Sequence, residues 1–92
     1  MELGTVVWSL GISTRVAKDL KFAKFVSESF ERYGKGDFGE LCEDDKKENE
    51  LALKEGNRIF ASYNFSSDNK EKIWIITEAD RSATTILFPE EY

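Results

Sequence analysis

A chain of 92 residues, 40% hydrophobic and 13% aromatic with a single proline, has the size and composition of one globular domain and is too apolar for disorder. The absence of histidine excludes Ser-His and Cys-His nucleophiles and every histidine-containing metal site, and one cysteine excludes an internal disulfide. The formal net charge of −5 resides wholly in residues 37–56, where eight acids accompany three lysines, and such a surface repels nucleic acid.

Residues 4–10, Gly-Thr-Val-Val-Trp-Ser-Leu, are rich in β-branched and aromatic side chains and read as a strand. Ser13 or Thr14 is the expected cap of the helix that follows. Val16, Leu20, Ala23, Val26, Phe30 and Tyr33 recur every three or four residues and so share one face, widened by Phe22 and Phe25. Lys18-Asp19-Leu20-Lys21 is a weak link at which this helix can divide, and Gly34-Lys35-Gly36 stops it. Asp37-Phe38-Gly39-Glu40-Leu41 reads as a turn carrying one aromatic. A polar helix is expected from about Glu43 to Glu55, ended by Gly56.

Three strands follow: Arg58 to Phe65, Lys72 to Glu78 and Ala83 to Phe88, with a hairpin loop over Ser66-Ser67-Asp68-Asn69-Lys70. Ile75 and Thr77 share one face of their strand and Trp74 and Ile76 the other, so both faces carry apolar groups. The second apolar face calls for a further helix or a protein partner. The expected fold is α+β: an antiparallel sheet of about four strands, in the order strand-helix-helix-strand-strand-strand, with the helices packed on one side and the whole chain, residues 1–92, a single domain. Met1-Glu2-Leu3-Gly4 lacks the basic start of a signal peptide. The longest purely apolar run, residues 73–76, is far short of the roughly 20 residues of a membrane helix. A cytoplasmic protein without membrane contact is expected.

Four constellations are candidates for chemistry. Glu43, Asp44, Asp45, Glu48 and Glu50 form an acidic surface suited to a basic partner, although acids at a helix start also simply suit the helix dipole. Asp37, Cys42 and Asp45 lie within nine residues and are the candidate ligands of a divalent metal such as zinc, at a spacing that matches no EF-hand or cysteine-based zinc motif. Cys42 is a poor nucleophile, because its sequence neighbours are acids that disfavour the thiolate. Glu78, Asp80 and Arg81 meet at a turn, where they can do acid–base work or simply hydrogen-bond locally, and Arg58 and Arg81 can bridge to the acidic helix. Trp8, Phe60, Trp74 and Phe88 can form an aromatic platform, which without a basic patch points to core or protein contact rather than nucleic acid.

Gly36-Asp37-Phe38-Gly39, Asp45, Asn49, residues 52–56 (Ala-Leu-Lys-Glu-Gly), residues 73–82 (Ile-Trp-Ile-Ile-Thr-Glu-Ala-Asp-Arg-Ser) and residues 84–92 (Thr-Thr-Ile-Leu-Phe-Pro-Glu-Glu-Tyr) resemble a family of small "plasmid-related" proteins of Gram-positive phages, plasmids and conjugative elements. The resemblance covers about residues 34–92, and Gly4 to Val16 more loosely, and the family has Trp where this chain has Phe38. It implies a setting rather than an activity: a mobile element in a bacterial host, where small acidic proteins often block defence nucleases. The resulting expectation is a non-enzymatic inhibitor of a CRISPR effector or restriction enzyme, acting through its acidic patch. The alternatives are a structural metal-binding domain and a housekeeping protein partner of the element.

Overall fold

The structure, a computed structural model, describes residues 2–66, 68 and 70–92. Strand β1 (Thr5–Trp8) leads into helices α1 (Leu10–Lys18) and α2 (Leu20–Gly34), then α3 (Glu43–Glu55), strands β2 (Ile59–Asn64), β3 (Lys72–Thr77) and β4 (Ala83–Leu87), and a 3-10 turn (Pro89–Glu91). Ser67 and Asn69 of the expected hairpin loop lie outside the described residues.

The fold class is α+β as expected, with one correction, in the sheet, and with the first helix divided at the expected weak link. The sheet is mixed rather than antiparallel: its order is β1-β4-β3-β2, and β1 runs parallel to β4. Short loops force β2, β3 and β4 into an antiparallel meander. β1 is joined to that meander only through three helices, a connection long enough to cross the sheet and return in either sense. Asp19 leaves helical geometry (φ −136°, ψ 105°), ends α1, and caps α2 by accepting the Phe22 amide at 3.2 Å. That amide, and then the Arg15 guanidinium beside it, hold the Asp19 carboxyl below its ordinary range.

The N-cap of α1 is Ser9, not Ser13 or Thr14. Ser9 Oγ accepts the Ile12 amide at 3.2 Å, so the helix begins directly at the end of β1. A carboxylate from the other end of the chain completes this cap. Glu91 accepts from the Ser9 hydroxyl at 2.6 Å, the Gly11 amide at 3.0 Å and the Phe88 amide at 2.9 Å. Burial pushes the Glu91 carboxyl up, but these bonds outweigh it and leave it below its ordinary value. An anion at a helix N-terminus also suits the helix dipole.

α1 and α2 cover one sheet face. Ile12, Phe22, Val26 and Tyr33 meet Ile59, Ala61, Tyr63, Ile73, Ile75 and Ile86 there, all essentially inaccessible. Phe22 centres an aromatic group with Phe25, Phe65 and Phe88, at ring separations of 5.3 to 5.8 Å. Within this core a file of hydroxyls crosses three elements: Tyr33 Oη lies 2.6 Å from Thr77 Oγ1, which lies 2.8 Å from Thr84 Oγ1, which donates to the Leu3 carbonyl at 2.6 Å. A carbonyl can only accept, so the proton order is fixed. Thr84 donates to Leu3, Thr77 to Thr84, and Tyr33 to Thr77.

On the opposite face Trp74 packs edge-on against Phe60 (5.0 Å) and Tyr92 (5.8 Å), while Ile76 and Leu87 are buried. The second apolar face is thus partly covered by the C-terminal segment itself.

Candidate functional site

The two edges of the sheet are treated differently, and the acidic segment belongs to one of them. β2 turns the backbone groups of Phe60, Ser62 and Asn64 away from β3, and each meets a partner. Asn49 of α3 donates its side-chain amide to the Phe60 carbonyl and accepts the Phe60 amide at 3.1 Å. The Ser62 amide donates to Phe38, and the Ser62 carbonyl accepts Glu40 N at 2.8 Å. The Asn64 amide donates to the Glu40 carboxylate at 3.2 Å. The Gly36-Asp37-Phe38-Gly39-Glu40 turn is therefore a strap along β2. Gly39 is obligatory in it: its φ is +78°, and a Cβ there would lie 2.0 Å from the Ser62 carbonyl oxygen.

Asp37 organises this strap. Its carboxylate takes the Arg32 guanidinium through two bonds (2.7 and 3.2 Å) and the Gly39 amide at 3.0 Å, and these contacts hold it below the ordinary carboxylate range. Arg32 also lies 3.7 Å from Glu40 and 5.1 Å above the Tyr63 ring. Tyr63 in turn donates its buried hydroxyl to the Asp37 carbonyl at 2.6 Å, and burial raises its pKa.

Asp37 is thus engaged by a cation. Cys42 is exposed at the N-cap of α3 and makes no side-chain cap bond. Asp45 lies in the first turn of α3 and lines a groove with Arg58 and Phe60. The structure does not gather Asp37, Cys42 and Asp45: among the described residues, no three His, Cys, Asp or Glu side chains are grouped to hold a metal ion.

α3 spans Glu43–Glu55 as expected and buries only Asn49 and Ala52. Among the described residues, none of its six acids forms a salt bridge, whereas Asp19, Glu28, Glu31, Asp37, Glu40 and Glu71 all do. At about 100° per residue, Asp44, Asp45, Glu48 and Glu55 fall on one flank of the helix. Glu43 and Glu50 fall on the other, together with Lys46, Lys47 and Lys54. Of the five acids expected to form one surface, the structure therefore brings together Asp44, Asp45 and Glu48, adds Glu55, and separates Glu43 and Glu50. The shallow groove beside Asp45 and Glu48 is floored by Asn49, Ala52 and Phe60. Leu51 and Leu53 are about half exposed on the same helix.

At the β3–β4 turn, Asp80 accepts the Ser82 amide at 3.0 Å, and Arg81 adopts a left-handed φ of 62°. The Arg81 guanidinium donates to the carbonyls of Asn57, Glu78, Ala79 and Ala52, at 2.8 to 3.4 Å. Arg81 does bridge to the acidic helix, but through the carbonyls at its C-terminus rather than its carboxylates. Arg58 instead stacks on Tyr92 at 5.2 Å and donates to its hydroxyl. The four expected platform aromatics separate: Phe60 and Trp74 stack on the outer face, Phe88 joins Phe22, and Trp8 stands about half exposed on β1.

Comparison with family models, curated proteins and solved structures found no match. Among the described residues no helix is long and apolar enough to cross a membrane.

Proposed function

We propose that this chain is a small non-enzymatic binding protein of a bacterial mobile element or phage, acting in the host cytoplasm. Its acidic flank docks on a basic groove of a host defence nuclease, a CRISPR effector or restriction enzyme, and blocks it. The observation that carries this reading is the Asp44–Asp45–Glu48–Glu55 flank: four exposed carboxylates with no interleaved lysine and, among the described residues, no salt bridge, on a helix tied to β2 by Asn49 and to the β3–β4 turn by Arg81. The family setting implied by residues 34–92 supplies the class of target. Charges arranged this way govern encounter and specificity more than raw affinity.

Whole-duplex mimicry is the weaker form of the idea. A helix of 13 residues spans about 20 Å, over which DNA carries roughly 12 charges. The acidic segment nets −5, under half of that. Docking of a patch, with Phe60 and Leu51 beside it, is the form the geometry favours.

The test is capture by the tagged protein from a host lysate that contains CRISPR and restriction machinery, at low and moderate salt. Recovery of a nuclease whose binding weakens with salt supports the proposal. The triple variant Asp44→Lys, Asp45→Lys, Glu48→Lys should then bind at least about tenfold more weakly. Unchanged affinity of that variant rejects the acidic docking surface. Recovery of an element-encoded replication or transfer protein instead moves the assignment to a housekeeping partner.

A further inference from the structure

The edge opposite α3 is left open. At the two ends of β1 the amides of Thr5 and Ser9 donate to the carbonyls of Ser82, just before β4, and Ile86, within it. Alternation then turns the amides and carbonyls of Val6 and Trp8 outward, on the free edge of the sheet. All four β1 residues are exposed, Val6, Val7 and Trp8 by 42%, 44% and 46%. Neither of the usual guards of such an edge, a charge or a proline, is present. Beside the edge, on the helix side, Val6 and Trp8 open onto an apolar groove of about 330 Å³ floored by Val16, Ala23, Val26 and Phe30.

We infer that β1 is a self-association edge, at which a second copy of the chain adds its own β1 antiparallel about a twofold axis through Val7. Three observations select this occupant. The first is hydrogen-bond complementarity: with Val7 opposite Val7, Val6 lies opposite Trp8 of the other copy, and every outward amide and carbonyl of the two residues finds its complement. The second is side-chain complementarity. The same register sets each Val6 beside a Trp8 on the helix side, over the mouths of both grooves, and the two Val7 side chains together on the other face. The third is charge. Two copies of a chain of net charge −5 repel, yet residues 3–14 form its longest uncharged run, and the acids of residues 37–56, which carry that net charge, lie at the far edge of the sheet. Three strand spacings place them about 14 Å away, beyond a Debye length at physiological salt. The pairing leaves both acidic flanks free at the ends of an eight-strand sheet.

The test is sedimentation equilibrium from roughly micromolar to millimolar protein, with amide exchange of Val6 and Trp8 read over the same range. Mass should rise to twice that of the chain as both amides become protected. Val6→Pro removes an outward donor while sparing every β1–β4 bond, and should hold the protein monomeric. Val7→Lys sets two cations face to face and should do the same without touching the backbone. Asp44→Lys should leave the dimer intact. A wild-type monomer throughout the range overturns the inference. So does a dimer that survives both Val6→Pro and Val7→Lys, and so does protection of Val6 and Trp8 that arises only when another protein is added to a monomer.

Discussion

The hydroxyl file through the core makes a directional prediction. Thr77→Val keeps the shape of a side chain that is fully buried, but removes the acceptor of the Tyr33 proton. Two hydrogen bonds are lost, to Tyr33 and to Thr84, at about 1 kcal/mol each, and the buried Tyr33 donor is orphaned, at about 1–3 kcal/mol more, so the expected cost is about 3–5 kcal/mol. Tyr33→Phe removes the donor instead. Thr77 Oγ1 still gives its proton to Thr84, so nothing is orphaned and the cost is about 1 kcal/mol. In the double variant no donor is stranded and the shared bond is lost only once, so it should be more stable than the sum of the single variants requires by about 2–4 kcal/mol. Thr84→Val strands the Thr77 proton and the Leu3 carbonyl together and should cost at least as much as Thr77→Val. Urea unfolding followed by fluorescence of Trp8 and Trp74 measures all four, and for a domain this small each kcal/mol moves the midpoint temperature by about 4–8 °C. Additivity of Tyr33→Phe and Thr77→Val within about 0.5 kcal/mol, or a Tyr33→Phe cost equal to that of Thr77→Val, would refute the proton order.

Gly39→Ala forces a Cβ onto the Ser62 carbonyl at a left-handed φ and should cost more than about 2 kcal/mol in the same assay, whereas Gly36→Ala, with open space at its Cβ position and only its φ to oppose it, should cost about 1–2 kcal/mol. Asn49→Ala exposes the Phe60 amide and carbonyl and should destabilise by about 2 kcal/mol, with exchange of the Phe60 amide accelerating more than that of Ile75. Burial raises the pKa of Tyr33 and of Tyr63 above the ordinary 10.0, so the stability each contributes is complete below pH 10 and is lost as pH rises above it. Tyr33→Phe should therefore lose less stability between pH 9 and pH 11 than the parent chain, and parallel loss in the two would contradict that account.

The elements that were legible in the sequence announce themselves locally. The acids of the first turn and Gly56 delimit α3, and alternation of Ile59, Ala61 and Tyr63 marks β2. Asp19 sits at the junction of α1 and α2, where lysines interrupt the apolar stripe. The pairing of β1 was not legible, because nothing within residues 5–8 distinguishes a parallel from an antiparallel neighbour. Ser9 was hidden as a cap because it also ends a strand, and its anionic partner Glu91 lies at the other end of the chain. At the candidate site the acids of 43–55 were evident, but their division into two flanks followed only from helical phase. Asn49 gave no signal at all: a polar residue in a polar helix looks solvated until the Phe60 backbone is placed beside it. Asp37, Cys42 and Asp45 are neighbours in sequence, yet Arg32 and the Gly39 amide already hold Asp37.

The parallel union of β1 with β4 also sets an order of events in folding. β2, β3 and β4 follow one another through short connections, so their pairings close small loops. Thr5 reaches Ala83 only after nearly the whole chain has been spanned. The meander is therefore the natural nucleus, and β1 is seated on it afterwards. In stopped-flow experiments Ile75→Val should slow refolding, while Val7→Ala should leave refolding unchanged and quicken unfolding. The first strand along the chain is the last to be installed and the first to leave.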